Sequence, residues 1–363
     1  MNLKSPTTLH PRRNFARNLI AIASTPAKQM RPPAPPARGF LMKVPRMLLT
    51  LVAAASFALS AQAQQTTLRV GHFPNITHAQ ALVASQLSRE GKGWFEERLG
   101  KDVKIEWFVY NAGPSAMEAL AANSIDLAYV GPNPALNLYV KSEGEEVRII
   151  SAAAVGGAAL VVQPDGRLSK PADFKGKTIA TPQLGGTQDV ACRAWLKKEG
   201  KYRITQLGGD VQVLPTPNPD QLSLFIDNKL DGVWTVEPWV SRLELEGKGK
   251  IYLEQKDVIT TVLVSSVKLL AEKRELAKKF VAANQELTEW INKNPDEAKK
   301  IANAALREIT KKAMSLELIN HSWPRLTFTT ELPKGGLEAS VAEAQSVGFL
   351  KGKIDLSRLV TSP

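Results

Sequence analysis

The chain has a single cysteine, Cys192, among its 363 residues. An intramolecular disulfide is therefore excluded, and the fold must draw its stability from a buried core. Histidine is almost as scarce: the three beyond the N-terminal segment are His72, His78 and His321, and their spacing does not match a metal site. We expect neither a metal nor any other cofactor.

Acidic residues are missing from the first 89 positions, and the first of them is Glu90. Residues 1–63 hold nine Lys or Arg, so most of the formal net charge of +12 lies in that segment and the rest of the chain carries +3. A nearly balanced charge does not indicate a basic face for nucleic acid. We therefore expect no nucleic-acid partner.

Residues 42–63 have the three parts of a signal peptide. Lys43 and Arg46 precede the apolar run MLLTLVAAASFALSA, and AQA at 61–63 provides a small-residue cleavage site. The run is too short and too rich in alanine for a helix that stays in the membrane. Cleavage after Ala63 predicts a periplasmic protein. Residues 1–41 exceed the usual length of such a peptide, which indicates a mis-assigned start or a disordered leader.

Predicted strands and helices alternate beyond residue 65. Apolar runs such as TLRVGHF (67–73) and VKIEWFVY (103–110) are each followed by a helical pattern. This order predicts an α/β fold with two Rossmann-like lobes, whose parallel-rich sheets are joined by a two-strand hinge. Lobe 1 would contain residues 66–156 and 261–363, and lobe 2 residues 157–260.

Two stretches of the chain resemble each other at an offset of 105 residues. NSIDLAYV (123–130) corresponds to NKLDGVWT (228–235), and Pro114 corresponds to Pro219. The aspartates of the two stretches are expected at helix-to-strand turns. The match indicates two related lobes, with chance similarity between such turns as the alternative.

The loops after the predicted strands combine Gly or Pro with a small hydroxyl or amide residue that opens a helix. Helix N-termini offer free N–H groups and a partial positive charge, so these loops predict an anion site. GGTQD (185–189) resembles an oxyanion cradle but lacks the lysine of a P-loop. In GPNP (131–134), Asn133 is predicted to be the helix N-cap and Pro134 the first helical residue.

Several of these residues have a structural interpretation beside the functional one. Thr77 and Ser115 both fit the capping-box pattern. Asp189 would favour the dipole of its helix. Arg193 would either supply a positive charge to the site or face solvent. Trp239 would either form a wall of the cleft or belong to the core.

Motifs for catalysis are scarce. The chain has no G-x-S-x-G sequence. Cys192 lies within DVACRAWL, on the predicted buried face of a helix, which is more typical of a core residue than of a nucleophile. We identify no catalytic residue, and the sequence does not predict an enzyme.

Five segments together resemble a known family: LRVGHFPNITHAQALVA, AGPSAMEALAANSIDLAYVGPNPA, ADFKGKTIATPQLGGTQD, DGVWTVEPW and ELAKKFVAANQELTEWINKNPDEAKKIAN. They are similar to the periplasmic substrate-binding proteins of ABC importers for aliphatic sulfonates, taurine and nitrate, over nearly all of residues 66–330. The resemblance implies a type II periplasmic binding protein. Such a protein is a monomer without catalysis, and it delivers a small-molecule ligand to an inner-membrane ABC permease with its ATPase.

The positions of the family's motifs imply the ligand contacts. These are Phe73, Pro74, Asn75, Gly113, Pro114, Ser115, Pro132, Asn133, Gly186, Thr187, Gln188, Glu237 and Trp239.

Two departures from the family pattern leave the ligand open. Glu237 would repel an anion if it pointed into the cleft, and no arginine is evident at the site. The first hypothesis is a small anionic organosulfur or nitrogen compound. A pyrimidine precursor of thiamine, an enzyme of thiamine-pyrimidine synthesis on the same fold, and a ligand-sensing partner of a membrane receptor are the alternatives. The single cysteine and the predicted signal peptide argue against the enzyme.

Overall fold

Two β-sheets organise the chain in the computed structural model, which describes residues 65–206, 208–312 and 314–363. The predicted leader (1–41) and signal peptide (42–63) lie outside the described residues. The described residues belong to one compact unit. None of the helices within it combines the length and the apolar run that crossing a membrane requires.

The strands are numbered in chain order. They are β1 (Thr66–His72), β2 (Val103–Val109), β3 (Leu127–Val130), β4 (Val147–Gly156), β5 (Ala158–Val162), β6 (Thr178–Thr181), β7 (Gln212–Pro215), β8 (Gly232–Val236), β9 (Lys250–Gln255), β10 (Ile259–Ser266) and β11 (Leu326–Phe328).

The two sheets share one arrangement. The first has the order β11-β4-β10-β3-β1-β2 and the second the order β7-β6-β8-β5-β9. In each, three strands are parallel, namely β2, β1 and β3 in the first and β7, β6 and β8 in the second. The strand beside this trio, β10 or β5, is antiparallel. We call the elements on the first sheet the first half and those on the second sheet the second half.

The helices lie around these sheets. They are α1 (Ala79–Arg89), α2 (Trp94–Leu99), α3 (Gly113–Ala121), α4 (Pro132–Lys141), α5 (Thr187–Lys198), α6 (Asn218–Ile226), α7 (Trp239–Leu245), α8 (Val267–Glu272), α9 (Arg274–Lys293), α10 (Pro295–Thr310), α11 (Leu316–Ser322) and α12 (Gly336–Ser346). Short 3₁₀ helices occupy Ile76–His78, Pro171–Phe174 and Trp323–Arg325.

The internal repeat predicted from the sequence is present in the structure. Asp126 Oδ2 accepts a hydrogen bond of 2.9 Å from the backbone N–H of Arg69, and Asp231 Oδ2 accepts one of 2.9 Å from Thr178. Each aspartate thereby ties the start of β3 or β8 to its parallel neighbour. The preceding helices α3 and α6 also begin 105 residues apart. The two halves therefore repeat one βα design.

The chain crosses between the halves at a pair of glycines. Gly156 ends β4 and Gly157 links it to β5, with φ of 79° and 72°, a region that disfavours side chains. A Cβ on Gly156 would also press against the carbonyl oxygen of Arg325. Glycine is therefore required at this crossing. The predicted lobe limits at 156/157 and 260/261 remain a proposal.

Three predictions of helix starts were wrong. Helix α4 begins at Pro132 with Gly131 as its N-cap, so Asn133 is the second helical residue. The reason is that Pro132 itself suits the first helical position. Thr77 lies within a 3₁₀ helix, and Ser115 is the third residue of α3, whose N-cap is Ala112. Neither hydroxyl forms a capping box.

Several short helices and strands were not predicted from the sequence. Helices α2 and α8 have six residues each, β11 has three, and β9 is a half-buried strand at the edge of its sheet. Segments this short contain too few periods for a helix or strand pattern to emerge. Their absence from the prediction does not affect the strand ends where ligands were expected.

The long C-terminal helices cover the first sheet. Helix α9 buries Ala277, Phe280, Ala283, Leu287 and Ile291, at the three- and four-residue spacing of one helix face. The Phe280 ring stacks on Phe95 with 4.1 Å between ring centroids. The apolar face of this helix therefore packs onto the core.

Candidate functional site

A cavity of about 30 Å³ lies between the strand ends of the two halves. It is lined by Phe73, Asn75, Thr77, His78, Asn111, Ala112, Gly113, Gly131, Pro134, Pro182, Gly186, Thr187, Gln188, Asn218, Val236 and Thr260. The first half contributes the loops after β1, β2 and β3. The second half contributes the loops after β6 and β7 and Val236, the last residue of β8. In open α/β sheets this edge is where ligands bind.

Four helices begin at the cavity. Gly113 opens α3, Gly131 caps α4, Thr187 opens α5 and Asn218 opens α6, and all four residues line it. Each helix N-terminus carries roughly half a positive charge together with free N–H groups. Their convergence gives the cavity a positive potential without a cation.

No Asp, Glu, Lys or Arg is among the described residues that line the cavity. Its polar side chains are amides, hydroxyls and one imidazole. An anion would therefore be held by dipoles and hydrogen bonds rather than by an ion pair. The same lining would accept a neutral polar molecule.

The GGTQD segment contributes both to the cavity and to its support. Gly186, Thr187 and Gln188 line the cavity, and Asp189 does not. Asp189 accepts hydrogen bonds from the backbone N–H of Gly185 at 3.0 Å and from the hydroxyl of Thr181 at 2.8 Å. Its role is to hold the glycine turn in place.

Arg193 is neither a ligand contact nor a solvent-facing residue. It is 2% exposed, and its Nε donates to Asp189 Oδ2 at 3.0 Å. Its remaining donors reach the carbonyl oxygens of Thr205 and Val213. The buried pair of Arg193 and Asp189 therefore supports helix α5 behind the cavity.

Glu237 points away from the cavity. The residue before it, Val236, lines the cavity, and consecutive side chains of a strand alternate in direction. Glu237 Oε1 accepts from Arg325 Nη1 at 2.8 Å, and its two oxygens accept from the hydroxyl and N–H of Ser241. Burial raises the pKa of Glu237, and Arg325 and Ser241 act in the opposite direction. This carboxylate therefore does not repel an anion from within the cavity.

Trp239 is a neighbour of the cavity and does not line it. Its indole N–H donates to Asn75 Oδ1 at 2.7 Å. Trp239 lines an adjoining groove of about 600 Å³ together with Pro74, and Asn111 lines both spaces. The groove thus continues outward from the cavity.

The other expected contacts fall in two groups. The structure brings together Phe73, Asn75, Gly113, Gly186, Thr187 and Gln188. It does not bring Pro114, Ser115, Pro132 or Asn133 to the lining. Ser115 Oγ donates to the carbonyl of Ala112, and the N–H of Asn133 donates to Thr187 Oγ1 at 3.4 Å. These residues shape the helix starts.

Several lining residues were not singled out from the sequence. His78 and Asn218 lie in two of the loops that follow predicted strands, FPNITH (73–78) and TPNPD (216–220), but no pattern distinguished them from their neighbours. Thr260 is the second residue of β10, where the chain returns to the first half, and this segment has no site motif. Their contribution depends on how the two halves meet, which no local signal reveals.

His78 is an uncharged polar group in the wall. It is 2% exposed, its ring lies 4.4 Å from that of Phe73, and its Nδ1 is buried without a hydrogen-bond partner. Burial lowers its pKa well below the usual value, and His72 adds to this effect. His78 is therefore neutral at pH 7 and offers hydrogen bonds without charge.

Metal and nucleophile chemistry find no support in the described residues. No group of His, Cys, Asp and Glu within residues 65–206, 208–312 and 314–363 could hold a metal ion. Cys192 is 1% exposed, and burial raises the pKa of its thiol, as does Asp189. This thiol is a core group.

A model of the NMT1-like family matches residues 61–306. The chain belongs to this family. It is 26% identical over 320 residues to a putative binding protein of Brucella abortus (strain 2308), covering 86% of this chain and 91% of that protein. It is also 25% identical over 202 residues to the taurine-binding periplasmic protein of Escherichia coli (strain K12), covering 55% of this chain and 57% of that protein.

Solved structures show the same fold. The alkanesulfonate-binding protein SsuA from Xanthomonas axonopodis pv. citri, bound to MOPS, matches with a TM-score of 0.66 and 18% identity over 82% of this chain and 99% of that one. The periplasmic nitrate-binding protein NrtA from Synechocystis PCC 6803 matches with a TM-score of 0.66 and 17% identity over 78% and 82%. These matches confirm the predicted periplasmic binding fold with two Rossmann-like lobes. They also confirm the resemblance to sulfonate-, taurine- and nitrate-binding proteins.

Proposed function

We propose that this chain is the periplasmic substrate-binding component of an ABC importer. Its ligand is a small anion such as an aliphatic sulfonate, taurine or a nitrate-like compound. The observation that carries this proposal is the meeting of four helix N-termini at a cavity without acidic side chains. The chain would act as a monomer, without catalysis, and pass its ligand to an inner-membrane permease with its ATPase.

Contacts between the halves support capture by closure. Asn218 Nδ2 of the second half donates to Asn75 Oδ1 of the first at 3.4 Å. Thr187 Oγ1 accepts from the N–H of Asn133, again across the halves. Both contacts border the cavity, so a ligand there would be enclosed by movement about the glycine crossing.

The adjoining groove supports a ligand with an organic substituent. The cavity is large enough for a compact group of a few atoms. The groove beside it, lined in part by Val109 and Trp239, has room for a carbon chain. An alkyl sulfonate would place its charged head among the helix N-termini and its chain in the groove.

A pyrimidine is the second candidate ligand. The neighbouring rings of Phe73 and His78, which are tilted by 38°, together with amide side chains and no cation, favour a neutral heteroaromatic ring. Such a ligand would leave the helix N-termini without an anion to stabilise. The anion therefore remains the first candidate.

A thermal-shift screen of the purified protein distinguishes the candidates. Methanesulfonate, taurine, nitrate and 4-aminopyrimidine are added separately at millimolar concentration. A ligand present at 100 times its Kd stabilises the folded state by about 2.7 kcal/mol, so the melting temperature rises. We expect a rise with at least one of the anions. A rise with the pyrimidine alone would replace the proposed ligand class, and turnover of any of these compounds would overturn the absence of catalysis.

A further inference from the structure

One chain of hydrogen bonds connects the cavity wall with the second half. Trp239 Nε1 lies 2.7 Å from Asn75 Oδ1, and Asn218 Nδ2 lies 3.4 Å from the same oxygen. Asn218 Oδ1 in turn accepts from the hydroxyl of Thr235 at 3.0 Å. All four residues are buried. We call them the Trp239 relay.

The direction of every bond in the relay follows from the indole. An indole N–H can only donate, so the Asn75 atom that faces Trp239 must be the oxygen. Because that oxygen is an acceptor, Asn218 must turn its NH₂ group toward it. The oxygen of Asn218 then faces Thr235, whose hydroxyl donates. The orientation of both amides is thereby fixed by chemistry.

With the orientation of its amide fixed, the Asn75 side chain has one group available to a ligand, its NH₂ group. Its oxygen is occupied by two donors, and its side chain lines the cavity while being 4% exposed. Only its NH₂ group remains free to interact there. A ligand atom beside it must therefore be a hydrogen-bond acceptor, because a donor would leave two N–H groups opposed.

We propose that the Trp239 relay makes Asn75 an obligate hydrogen-bond donor, so that Asn75 determines specificity for an acceptor oxygen and Trp239 acts as a positioning residue. The inference rests on the proposed binding of a small oxyanion in the cavity. It adds that recognition is coupled to closure. Asn75 belongs to the first half and its partners to the second, so the donor is fixed only when the halves meet.

Two ligands of nearly equal shape test the inference. Methanesulfonate offers acceptors at all three positions, and methanesulfonamide replaces one oxygen by an NH₂ donor. The measurement is the ratio of their dissociation constants by isothermal titration calorimetry. The wild-type protein should prefer the sulfonate. In Trp239→Phe the Asn75 amide can rotate and present its oxygen, so the preference should shrink about 3- to 10-fold.

Trp234→Phe is the matched control. Trp234 is a buried tryptophan of β8 whose indole N–H also donates to a side-chain amide, Gln255 Oε1 at 3.1 Å, but it does not line the cavity. This variant should lose a comparable bond and keep the wild-type ratio. Asn75→Ala removes the donor itself and should shrink the ratio about 3- to 10-fold. Melting curves of each variant verify that it is folded.

The outcomes separate the two proposals. If the wild-type protein binds no methanesulfonate, the proposed function fails for this ligand class, and the inference fails with it. If it binds methanesulfonate but Trp239→Phe keeps the wild-type ratio, the inference alone is overturned. The same holds if Trp234→Phe changes the ratio equally. Where Trp239→Phe does not fold, an unchanged ratio in Asn75→Ala overturns the inference.

Discussion

Two regions meet at the end of strand β8, and they differ in their content of charged side chains. The cavity on one side of Val236 is lined without any charged side chain among the described residues. On the other side, Arg325 lies 2.8 Å from Glu237, 2.8 Å from Glu244 and 3.7 Å from Glu254. We call these four charged residues the Arg325 cluster. Val236, the last residue of β8, thus lines an uncharged cavity, and Glu237, the next residue, belongs to a cluster of charged side chains.

The difference shows what each region is suited to do. A fixed charge inside a buried cavity is costly whenever its ligand is absent, whereas helix N-termini are positive at no such cost. In the Arg325 cluster, the guanidinium lies within 4 Å of a carboxylate oxygen of each of the three glutamates, whether or not a ligand is bound in the cavity. Arg325 directly precedes β11 of the first half, and its carboxylates belong to the second half. The ion pairs of Arg325 therefore connect the two halves, whereas the helix dipoles at the cavity are suited to binding a ligand.

The largest effect is expected from breaking the Arg325 cluster. Arg325→Met leaves the buried carboxylate of Glu237 without its cation, which should lower the free energy of unfolding by about 3–5 kcal/mol. Urea denaturation measures this loss. Arg203→Met, which removes an exposed ion pair with Asp210, is the control and should change little. Equal effects of the two variants would contradict a structural role for the cluster.

The two regions should also respond oppositely to pH. Burial lowers the pKa of His72, next to the cavity wall, to about 4, and Arg89 contributes. The unfolded chain takes up this proton near pH 6.5, so stability is complete above that pH and falls as the pH drops toward 4. The loss amounts to roughly 3 kcal/mol. Urea unfolding at pH 7.5, 5.5 and 4.5 measures it, and His72→Gln should flatten the decline.

Glu237 should act in the other direction. Its pKa is raised in the folded protein, so the folded state takes up a proton at a higher pH than the unfolded chain does. Stability from this group rises as the pH falls through that window. Glu237→Gln should therefore steepen the acid decline of the wild type. A shallower decline would show that the carboxylate is not desolvated in the folded protein.

A new charge in the cavity should weaken anion binding more than the loss of a charge outside it. Gln188→Glu places a carboxylate in the lining without changing the size of the side chain. The affinity for methanesulfonate should fall about 10- to 100-fold, or ~1.4–2.7 kcal/mol, by calorimetry. Glu237→Gln should leave that affinity within about 3-fold. Tighter binding of methanesulfonate by Gln188→Glu would show that the sulfonate does not lie in this cavity.

The smallest effect is expected from single hydroxyls. Thr187→Ala removes a hydroxyl that lines the cavity at the start of α5, and the affinity should fall about 3- to 10-fold. Ser115→Ala, at the start of α3 but outside the lining, should bind as the wild type does. An unchanged affinity in Thr187→Ala would show that the GGTQD segment does not cradle the ligand.

The sequence was informative wherever the relevant signal is local. The alternation of apolar runs predicted the βα order. The similar stretches around Asp126 and Asp231 predicted two related halves. Glycine- and proline-rich turns indicated several of the loops that line the cavity. These features are set by neighbours within a few residues, and six expected contacts do meet at the cavity.

Side-chain direction was not predictable in the same way. Whether Glu237 enters the cavity depends on which face of β8 meets the first half, and its partner Arg325 lies 88 residues further along the chain. Trp239 was expected to touch the ligand, yet it bonds Asn75, 164 residues before it. Both assignments need the contact between the halves, and no local pattern encodes it.

A crystal structure of the protein with methanesulfonate tests most directly whether dipoles and amides, rather than charges, bind the ligand. We predict sulfonate oxygens within hydrogen-bond distance of Asn75 Nδ2 and of the N–H groups that open α3 and α5. No lysine or arginine should be in contact with them. A sulfonate bound to a cationic side chain away from this cavity would contradict the account.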